Sequence, residues 1–245
     1  MSGPERRFVF CIVFSLAAIV ASGSLLLRSR SLDLGQSLPI TTGSSKSHPV
    51  RVDFIGEALC PDCAAFTAKV LEPIFSSGLS ELINFDFVGW GNAKNNSGEI
   101  KCQHGPKECE LNIVLNCAQH LSKSQEVFFS FLSCLEKKAF RESSADVLQS
   151  CTSDEKLSEK ALQECAFGGQ GKELEKAAEA ATPAHPYVPW VLVDGVPLGP
   201  DCGNLATYIC TAYKGEKPKE CHETPEFKPC PGIPARDKSN AHLSL

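Results

Sequence analysis

The sequence predicts a disulfide-rich α/β protein, and three observations support this prediction. A short strand pattern at Val50–Ile55 leads into a Cys-x-x-Cys motif and then into a helical pattern. Helical periodicity dominates residues 107–181, after which a second apolar, β-rich stretch and a hairpin turn appear. Thirteen cysteines occur in 245 residues. We therefore expect one domain over residues 49–232, with a helical insertion at about 107–181.

The first 28 residues have the composition of a targeting segment. Arg6 and Arg7 precede an apolar stretch at 8–20, which small residues follow, and this order is typical of a secretory signal peptide. Apolar residues resume at 25–27, so the same segment reaches the roughly 20 residues of an uncleaved membrane anchor. Both interpretations send the rest of the chain across a membrane. Residues 29–48, rich in Ser, Gly and Thr, are predicted to be a linker.

The strand at Val50–Ile55 is followed by Cys60-Pro61-Asp62-Cys63 and a run of apolar residues that predicts a helix. We expect Pro73 to kink or end this helix, because proline lacks an amide donor and clashes with the preceding turn. Alternating apolar residues at 83–88 predict a second strand. The polar, turn-rich stretch at 91–98 predicts a loop.

The helical block contains apolar residues or cysteines at every fourth position: Cys109, Ile113, Cys117 and Leu121. Eight helical residues separate Cys109 from Cys117 by roughly 12 Å. A disulfide needs Cα atoms within about 7 Å, so these two cysteines should not bond each other. Further apolar patterns predict helices near 127–135, 157–165 and 174–181.

The C-terminal part of the domain returns to strand character. Val188–Val193 is apolar and β-rich, Asp194-Gly195 is a hairpin turn signal, and residues 205–213 predict a last helix. Residues 233–245 have little to pack against and are predicted to be a mobile tail. The whole order fits a thioredoxin-like fold with a helical insertion between the second strand and the C-terminal hairpin.

The cysteine count favours an oxidising compartment. Cys11 lies in the targeting segment, and the remaining twelve are an even number, as a disulfide framework requires. Setting aside the Cys-x-x-Cys pair leaves ten for structural bridges: Cys102, Cys109, Cys117, Cys134, Cys151, Cys165, Cys202, Cys210, Cys221 and Cys230. The formal net charge of −5 and the lack of a basic run argue against a nucleic-acid partner.

The candidate catalytic residues are Cys60 and Cys63. A cysteine at the start of a helix meets free backbone amides that stabilise its thiolate and lower its pKa. Cys60 could then attack a substrate disulfide, and Cys63 could resolve the mixed disulfide. We expect the Asp62 carboxylate to oppose thiolate formation.

Two other interpretations of this motif stay open. It could be a structural disulfide, or half of a zinc site, although no second Cys-x-x-Cys and no His-x-His pair accompanies it. We predict no metal.

The candidate substrate-binding residues are Val188 and Pro189. Proline entering an apolar strand cannot donate to the ladder, and a cis Val188–Pro189 bond would accommodate it. In thioredoxin-like folds such a loop faces the Cys-x-x-Cys motif. The alternative is an ordinary trans proline at a strand entry.

Asn95-Asn96-Ser97 is a glycosylation sequon, predicted to lie in the polar loop. The C-terminal His-Leu-Ser-Leu is not an endoplasmic reticulum retrieval signal, so a lysosome, a vacuole or the cell exterior is the expected destination.

A longer motif carries a family resemblance. Residues 102–117 read Cys-Gln-His-Gly-Pro-Lys-Glu-Cys-Glu-Leu-Asn-Ile-Val-Leu-Asn-Cys. This matches the CQHGxxECxxNxxxxC signature of the gamma-interferon-inducible lysosomal thiol reductase (GILT) family, and the similarity covers roughly residues 48–232. Pro106 and Glu108 favour a helix start within it. We expect a local structural role for His104, with tuning of a thiol as the alternative.

The resemblance implies a soluble reductase of protein disulfides in acidic endolysosomal compartments, with Cys60 and Cys63 as its redox pair. It would need no resident cofactor, only disulfide-containing protein substrates and a small thiol as external donor. A disulfide oxidase or isomerase that uses the same pair is one alternative. A non-enzymatic, disulfide-stapled binding module is the other.

Overall fold

The structure is a computed structural model that describes residues 48–152, 156–222 and 228–232. The predicted targeting segment, all but the last residue of the predicted linker, and the predicted tail lie outside these ranges. No helix in the described ranges is both long enough and apolar enough to span a bilayer.

Strands and helices alternate at both ends of the domain, and helices fill its middle. In chain order the elements are β1 Val50–Gly56, α1 Pro61–Phe66, a π-helical turn Thr67–Leu71, α2 Glu72–Ser77, β2 Ile83–Gly89, β3 Lys94–Asn96, β4 Glu99–Lys101, α3 Pro106–Leu121, α4 Gln125–Lys138, α5 Ser144–Cys151, α6 Glu159–Ala166, α7 Gly169–Ala181, β5 Trp190–Val193, β6 Val196–Pro197 and α8 Leu205–Ala212. Short 3-10 turns lie at Leu79–Leu82, Gly199–Asn204 and Lys219–Cys221.

The main sheet joins the two ends of the domain. Its strand order is β2-β1-β5-β6, with β1 parallel to β2 and antiparallel to β5. The β5–β6 hairpin turns at Asp194 and Gly195, both with positive φ, as the sequence predicts for this turn. A parallel β-α-β unit followed by an antiparallel hairpin and a helix confirms the thioredoxin-like fold. Helices α3 to α7 form the predicted insertion between β2 and β5.

The helix after the Cys-x-x-Cys motif does not end at Pro73. It continues to Ser77 and stops at Gly78, whose φ is +87°. The π-helical turn immediately precedes Pro73, and there the amide of Glu72 donates to the carbonyl of Thr67. This wider turn accommodates a proline within a helix, because it relaxes the contact between the ring and the preceding turn.

The predicted loop at 91–98 is partly wrong. Residues 94–96 form β3, which pairs antiparallel with β4 in a separate two-stranded hairpin. The turn between them contains Ser97 and Gly98, both at positive φ. The exposed residues of β3 are polar, so this strand has no apolar alternation by which a sequence pattern would reveal it.

Side-chain amides of the helical insertion cover the free edge of the sheet. Gln119 of α3 accepts from the Phe87 amide at 2.7 Å and donates to its carbonyl at 3.0 Å. Asn116, one turn earlier, makes the same pair of contacts with Gly89, both at 2.9 Å. Gln125 of α4 accepts from the Phe85 amide at 2.9 Å. These alternate residues of β2 are thus paired as a fifth strand would pair them, and the edge is closed.

Both faces of the sheet are buried. Val52 and Phe54 of β1 and Phe87 of β2 join the main core, where the Phe54 ring packs against Phe66 and Phe87. Ile55 and Val88 point to the other face, where α7 contributes Ala178. The faces alternate because successive side chains of a strand point in opposite directions.

All ten expected cysteines form disulfides. The pairs are Cys102–Cys109, Cys117–Cys165, Cys134–Cys151, Cys202–Cys230 and Cys210–Cys221. Cys109 and Cys117 have separate partners, as their spacing on α3 predicts. Bridges in this number are typical of a chain that matures in the secretory pathway.

Candidate active site

Cys60 lies between the end of β1 and the start of α1 and caps that helix. Its sulfur accepts the backbone amide of Cys63 at 3.4 Å, and Pro61 fills the first helical position, where no amide is needed. Cys60 and Cys63 are the free cysteines of the described chain. Cys60 is 6% exposed and Cys63 is not exposed at all, so the two thiols differ in access.

The two thiols also differ in acidity. The hydrogen bond from the Cys63 thiol lowers the pKa of Cys60, and the amides of Cys63 and Asp62 add to this, against the opposing effect of burial. Burial raises the pKa of Cys63 well above its ordinary value, and the hydrogen bond to Cys60 and the charges of Cys60 and Glu136 raise it further. Cys60 therefore forms a thiolate more easily than an ordinary cysteine, whereas Cys63 stays a thiol.

The carboxylate that opposes the Cys60 thiolate is Glu57, and the expectation for Asp62 is wrong. The charge of Glu57 raises the pKa of Cys60, whereas Asp62 contributes a backbone amide that lowers it. The reason is position: Glu57 is fully buried beside the motif, where its charge is little screened. Burial raises the pKa of Glu57 itself from 4.5 to about 6.

A hydrogen-bond network from the 102–117 motif holds the segment that precedes Cys60. The side chain of Asn112 accepts from the Ala58 amide at 2.8 Å. Glu108, also fully buried, accepts from the backbone amide of His104 at 2.5 Å and contacts its Nδ1 at 2.9 Å. His104 Nδ1 lies 3.6 Å from Glu57. Residues 102–117 therefore hold in place the backbone that leads from β1 to Cys60. His104 has the local contacts expected of a structural residue.

Three side chains of this network are close enough to hold a metal ion. Ligand atoms of Glu57, His104 and Glu108 all lie within 4.8 Å of one another. Each is already engaged: Glu57 accepts from the Asn92 amide at 2.6 Å, and His104 and Glu108 bond each other. We assign no metal to these residues, and the absence of one stays a prediction.

The residue before Cys60 has an unusual backbone conformation. Leu59 has φ of +63°, a region that bulky residues rarely occupy and that costs of order 1 kcal/mol or more. The residue is partly buried against the main core, and this packing offsets the cost. Leu59 thus lies in the turn that connects β1, which ends at Gly56, to Cys60 at the start of α1.

Val188 and Pro189 lie at the same end of the sheet as Cys60. Their peptide bond is cis, as expected. Since β1 and β5 are antiparallel and Ile55 pairs with Trp190, Val188 and Pro189 stand just beyond this pair, where β1 leads toward Cys60. Both residues are buried.

The sequon lies on the separate β3–β4 hairpin. Asn95 is exposed on β3, its Oδ1 accepts from the Gly98 amide at 2.8 Å, and its Nδ2 donates to Glu179 at 3.0 Å.

Three buried carboxyl groups near the thiols escape sequence reasoning: Glu57, Glu108 and Glu136 are 0%, 0% and 3% exposed. Glu57 and Glu108 had a signal, because one lies three residues before Cys60 and the other is part of the motif. Glu136 had no such signal in the sequence. It lies on the same helix as Glu126, which is exposed, and no local pattern distinguishes the two.

The thioredoxin-like fold and a buried, asymmetric Cys-x-x-Cys pair define a thiol–disulfide oxidoreductase. Comparisons with known proteins agree. The family model "Gamma interferon inducible lysosomal thiol reductase (GILT)" matches residues 51–155. The "Gamma-interferon-inducible lysosomal thiol reductase" of Mus musculus is 35% identical over 184 residues, covering 71% of this chain and 73% of that protein. The chain belongs to the GILT family.

Two further similarities complete the comparison. The "Gamma-interferon-responsive lysosomal thiol protein" of Arabidopsis thaliana is 31% identical over 227 residues, covering 89% of this chain and 91% of that protein. Among solved structures, reduced DsbG of Mycobacterium tuberculosis is 20% identical, with a TM-score of 0.48 over 71% of this chain and 83% of that one.

Proposed function

We propose that the chain reduces disulfides of protein substrates, with Cys60 as the attacking sulfur and Cys63 as the resolving sulfur. The observation that carries this assignment is the asymmetry of the pair. Cys60 keeps 6% of its surface exposed and its pKa is lowered, whereas Cys63 has no exposed surface and its pKa is raised. A thiolate is the nucleophile of disulfide exchange, so the accessible, more acidic sulfur attacks first.

The reaction has two exchange steps. Cys60 as thiolate attacks one sulfur of the substrate disulfide, and the other substrate sulfur leaves and takes a proton from solvent. Cys63 then loses its proton and attacks the Cys60 sulfur, which releases the second substrate sulfur. The substrate disulfide gains two electrons, and Cys60 and Cys63 become a disulfide. An external small thiol, in two equivalents, reduces the pair again, and no resident cofactor is needed.

Val188 and Pro189 are the proposed contact for the substrate chain. Their position beyond the Ile55–Trp190 pair supports this role, because a peptide that reaches Cys60 must pass the same end of the sheet. Pro189 has no backbone N–H to donate to a substrate strand. Amide donors at this loop must therefore come from the residues on either side of it.

An acidic endolysosomal or vacuolar compartment, or the cell exterior, is the proposed place of action. A lowered Cys60 pKa supports it, since an ordinary thiol with a pKa near 8.5 is almost fully protonated at low pH. The raised pKa of buried Glu57 also supports it, because this carboxyl is most easily accommodated when protonated. We further propose that residues 1–28 direct the chain into the secretory pathway and that Asn95, exposed on β3, carries a glycan.

The test is reduction of a disulfide-linked protein between pH 4 and 7. We expect wild type to be active and Cys60→Ser to be inactive, and we expect Cys63→Ser to accumulate a mixed disulfide through Cys60. A Cys210→Ser/Cys221→Ser double variant is the control and should stay active, because it removes a structural bridge and leaves both the Cys-x-x-Cys pair and residues 102–117 intact. Reduction by Cys60→Ser at the wild-type rate would exclude the proposed role.

The reduction potential of the Cys60–Cys63 pair tests the direction of the reaction. A reductase needs a potential well below that of DsbA, which is about −120 mV. A measured value as oxidising as that of DsbA would favour the oxidase interpretation instead.

A further inference from the structure

Glu136 is a buried carboxyl group without a hydrogen-bond partner. It lies on α4, is 3% exposed, and neither of its oxygens is hydrogen-bonded to any residue that the structure describes. The same holds for the hydroxyl of Thr67, which is 1% exposed. Carboxyl groups are rarely buried without partners, because their charged form loses its hydration. An unpaired one at this position calls for a function.

The two unpaired groups border one cavity beside the motif. Its volume is about 260 Å³, and its walls include Ala64, Thr67, Ser133, Glu136 and Lys137. Ala64 directly follows Cys63, and Thr67 is four residues further along the helix than Cys63, so Cys63 and Thr67 share a helix face. The accessible wall of the cavity is almost entirely apolar, and the oxygens of Thr67 and Glu136 are themselves buried.

Burial and two neighbouring charges oppose the ionisation of Glu136. Burial raises the pKa of Glu136 well above its ordinary value, and the charges of Cys60 and Glu57 raise it further. Lys137 also borders the cavity, but its Nζ lies 3.1 Å from Glu72 and is half exposed, so it is paired elsewhere. Cys63 completes the set, because the charge of Glu136 in turn raises its pKa. Glu136 and the two thiols therefore share one electrostatic environment.

We propose that Glu136, on the helix α4 that packs against α1, accepts the proton of Cys63 in the resolving step. This proposal rests on the proposed function of Cys60 and Cys63. The buried Cys63 thiol has no direct access to solvent, so its proton needs an acceptor inside the protein.

Glu57 is less suited to this role. Its oxygens already accept the amide of Asn92 at 2.6 Å and lie near Asn92 Nδ2 and His104 Nδ1. The oxygens of Glu136 are free of such bonds among the described residues.

The order of charges also suits the step. While Cys60 is a thiolate, its charge disfavours a second charge on Glu136. When Cys60 forms the mixed disulfide it becomes neutral, and Glu136 ionises more easily. Its carboxylate then takes the Cys63 proton, Cys63 attacks the Cys60 sulfur, and the bond between Cys60 and the substrate sulfur breaks. The substrate leaves as a thiolate and takes a proton from solvent, and Glu136 later releases to solvent the proton that it took from Cys63.

The test separates the two steps in Glu136→Gln, which keeps the size of the side chain and removes its basicity. Alkylation of Cys60 by iodoacetamide measures the attacking sulfur alone and should keep its rate to within about twofold. Decay of a preformed mixed disulfide measures resolution, and removal of a general base slows such a step by about 10²-fold or more. We expect this loss between pH 5 and 7 and its disappearance at alkaline pH, where hydroxide deprotonates Cys63.

Two variants complete the design. Glu126→Gln makes the same change at an exposed position of α4 and should resolve the mixed disulfide as wild type does. Glu136→Asp keeps a carboxyl group and should restore part of the rate. Resolution by Glu136→Gln at the wild-type rate throughout this pH range would overturn the proposal, as would an equal loss of alkylation and resolution at every pH. If the proposed function itself fails, no mixed disulfide forms in Cys63→Ser, an outcome that does not depend on Glu136.

Discussion

Replacing Glu57 with Gln should remove a pH-dependent cost from the folded state. The pKa of Glu57 rises from 4.5 to about 6 on folding, mainly because the carboxyl is buried. A raised carboxyl pKa means that the folded state favours the protonated form. The folded state therefore bears no penalty from Glu57 below pH 4.5, and the penalty grows as the pH rises through 6. A shift from 4.5 to about 6 corresponds to about 2 kcal/mol at pH 7.

The assay is urea unfolding of wild type and Glu57→Gln at pH 4 and at pH 7. Gln also changes the hydrogen bonds with Asn92, but this contribution is much the same at both pH values and cancels in the comparison. We expect the free energy of unfolding of the variant minus that of wild type to be about 2 kcal/mol larger at pH 7 than at pH 4, which means a relatively more stable variant at pH 7.

Glu81→Gln is the matched control, because Glu81 is exposed and loses little hydration on folding. Its free-energy difference from wild type should be the same at both pH values. If the Glu57→Gln difference also stays constant to within 0.5 kcal/mol, which is about the error of such measurements, the burial argument for Glu57 is wrong.

Three further predictions concern the scaffold and the glycan. Asn116→Ala leaves the amide and carbonyl of Gly89 without partners and should lower the free energy of unfolding by about 1–3 kcal/mol in urea; an unchanged value would mean that this edge of β2 needs no cover. Removing Cys117–Cys165, with a separation of 48 residues, should cost about 4 kcal/mol, and removing Cys102–Cys109, with a separation of 7, about 2.4 kcal/mol; the reverse order would contradict a loop-entropy origin. When the chain is expressed through a eukaryotic secretory pathway, Asn95→Gln should abolish its glycosidase-sensitive gel shift, whereas Asn96→Gln, which keeps the sequon, should retain it.

Elements with a strong local pattern were predictable. The β1 alternation, the Cys-x-x-Cys motif before a helix and the Asp194-Gly195 turn each lie within a few residues of chain, so local periodicity and turn chemistry suffice. The strand β3 and the passage of a helix through Pro73 were not predictable in this way. β3 is polar, and Pro73 is accommodated by a π-helical turn whose sequence, Thr67–Leu71, reads as ordinary helix.

The electrostatics of the candidate site were predicted only in part. Nearness along the chain pointed to Asp62 as the opposing charge, but the buried Glu57 has this effect on the pKa of Cys60. Screening explains the difference, because a carboxylate that water reaches acts weakly even on a neighbour, whereas one in the interior acts strongly. Burial of a particular glutamate depends on which helix covers it, and no local pattern contains that information.

The sequence by itself determined the candidate redox pair, the number of cysteines available for bridges, the order along the chain of the strands in the main sheet and the family to which the chain belongs. These properties depend on residue type, spacing and local periodicity. Only the tertiary structure decided which cysteines pair, that Asn116 and Gln119 close the edge of β2, and that Glu136 of α4 lies near Cys63 of α1. Cys63 and Glu136 are 73 positions apart in sequence, and packing of the helical insertion against the first helix alone brings their charges together.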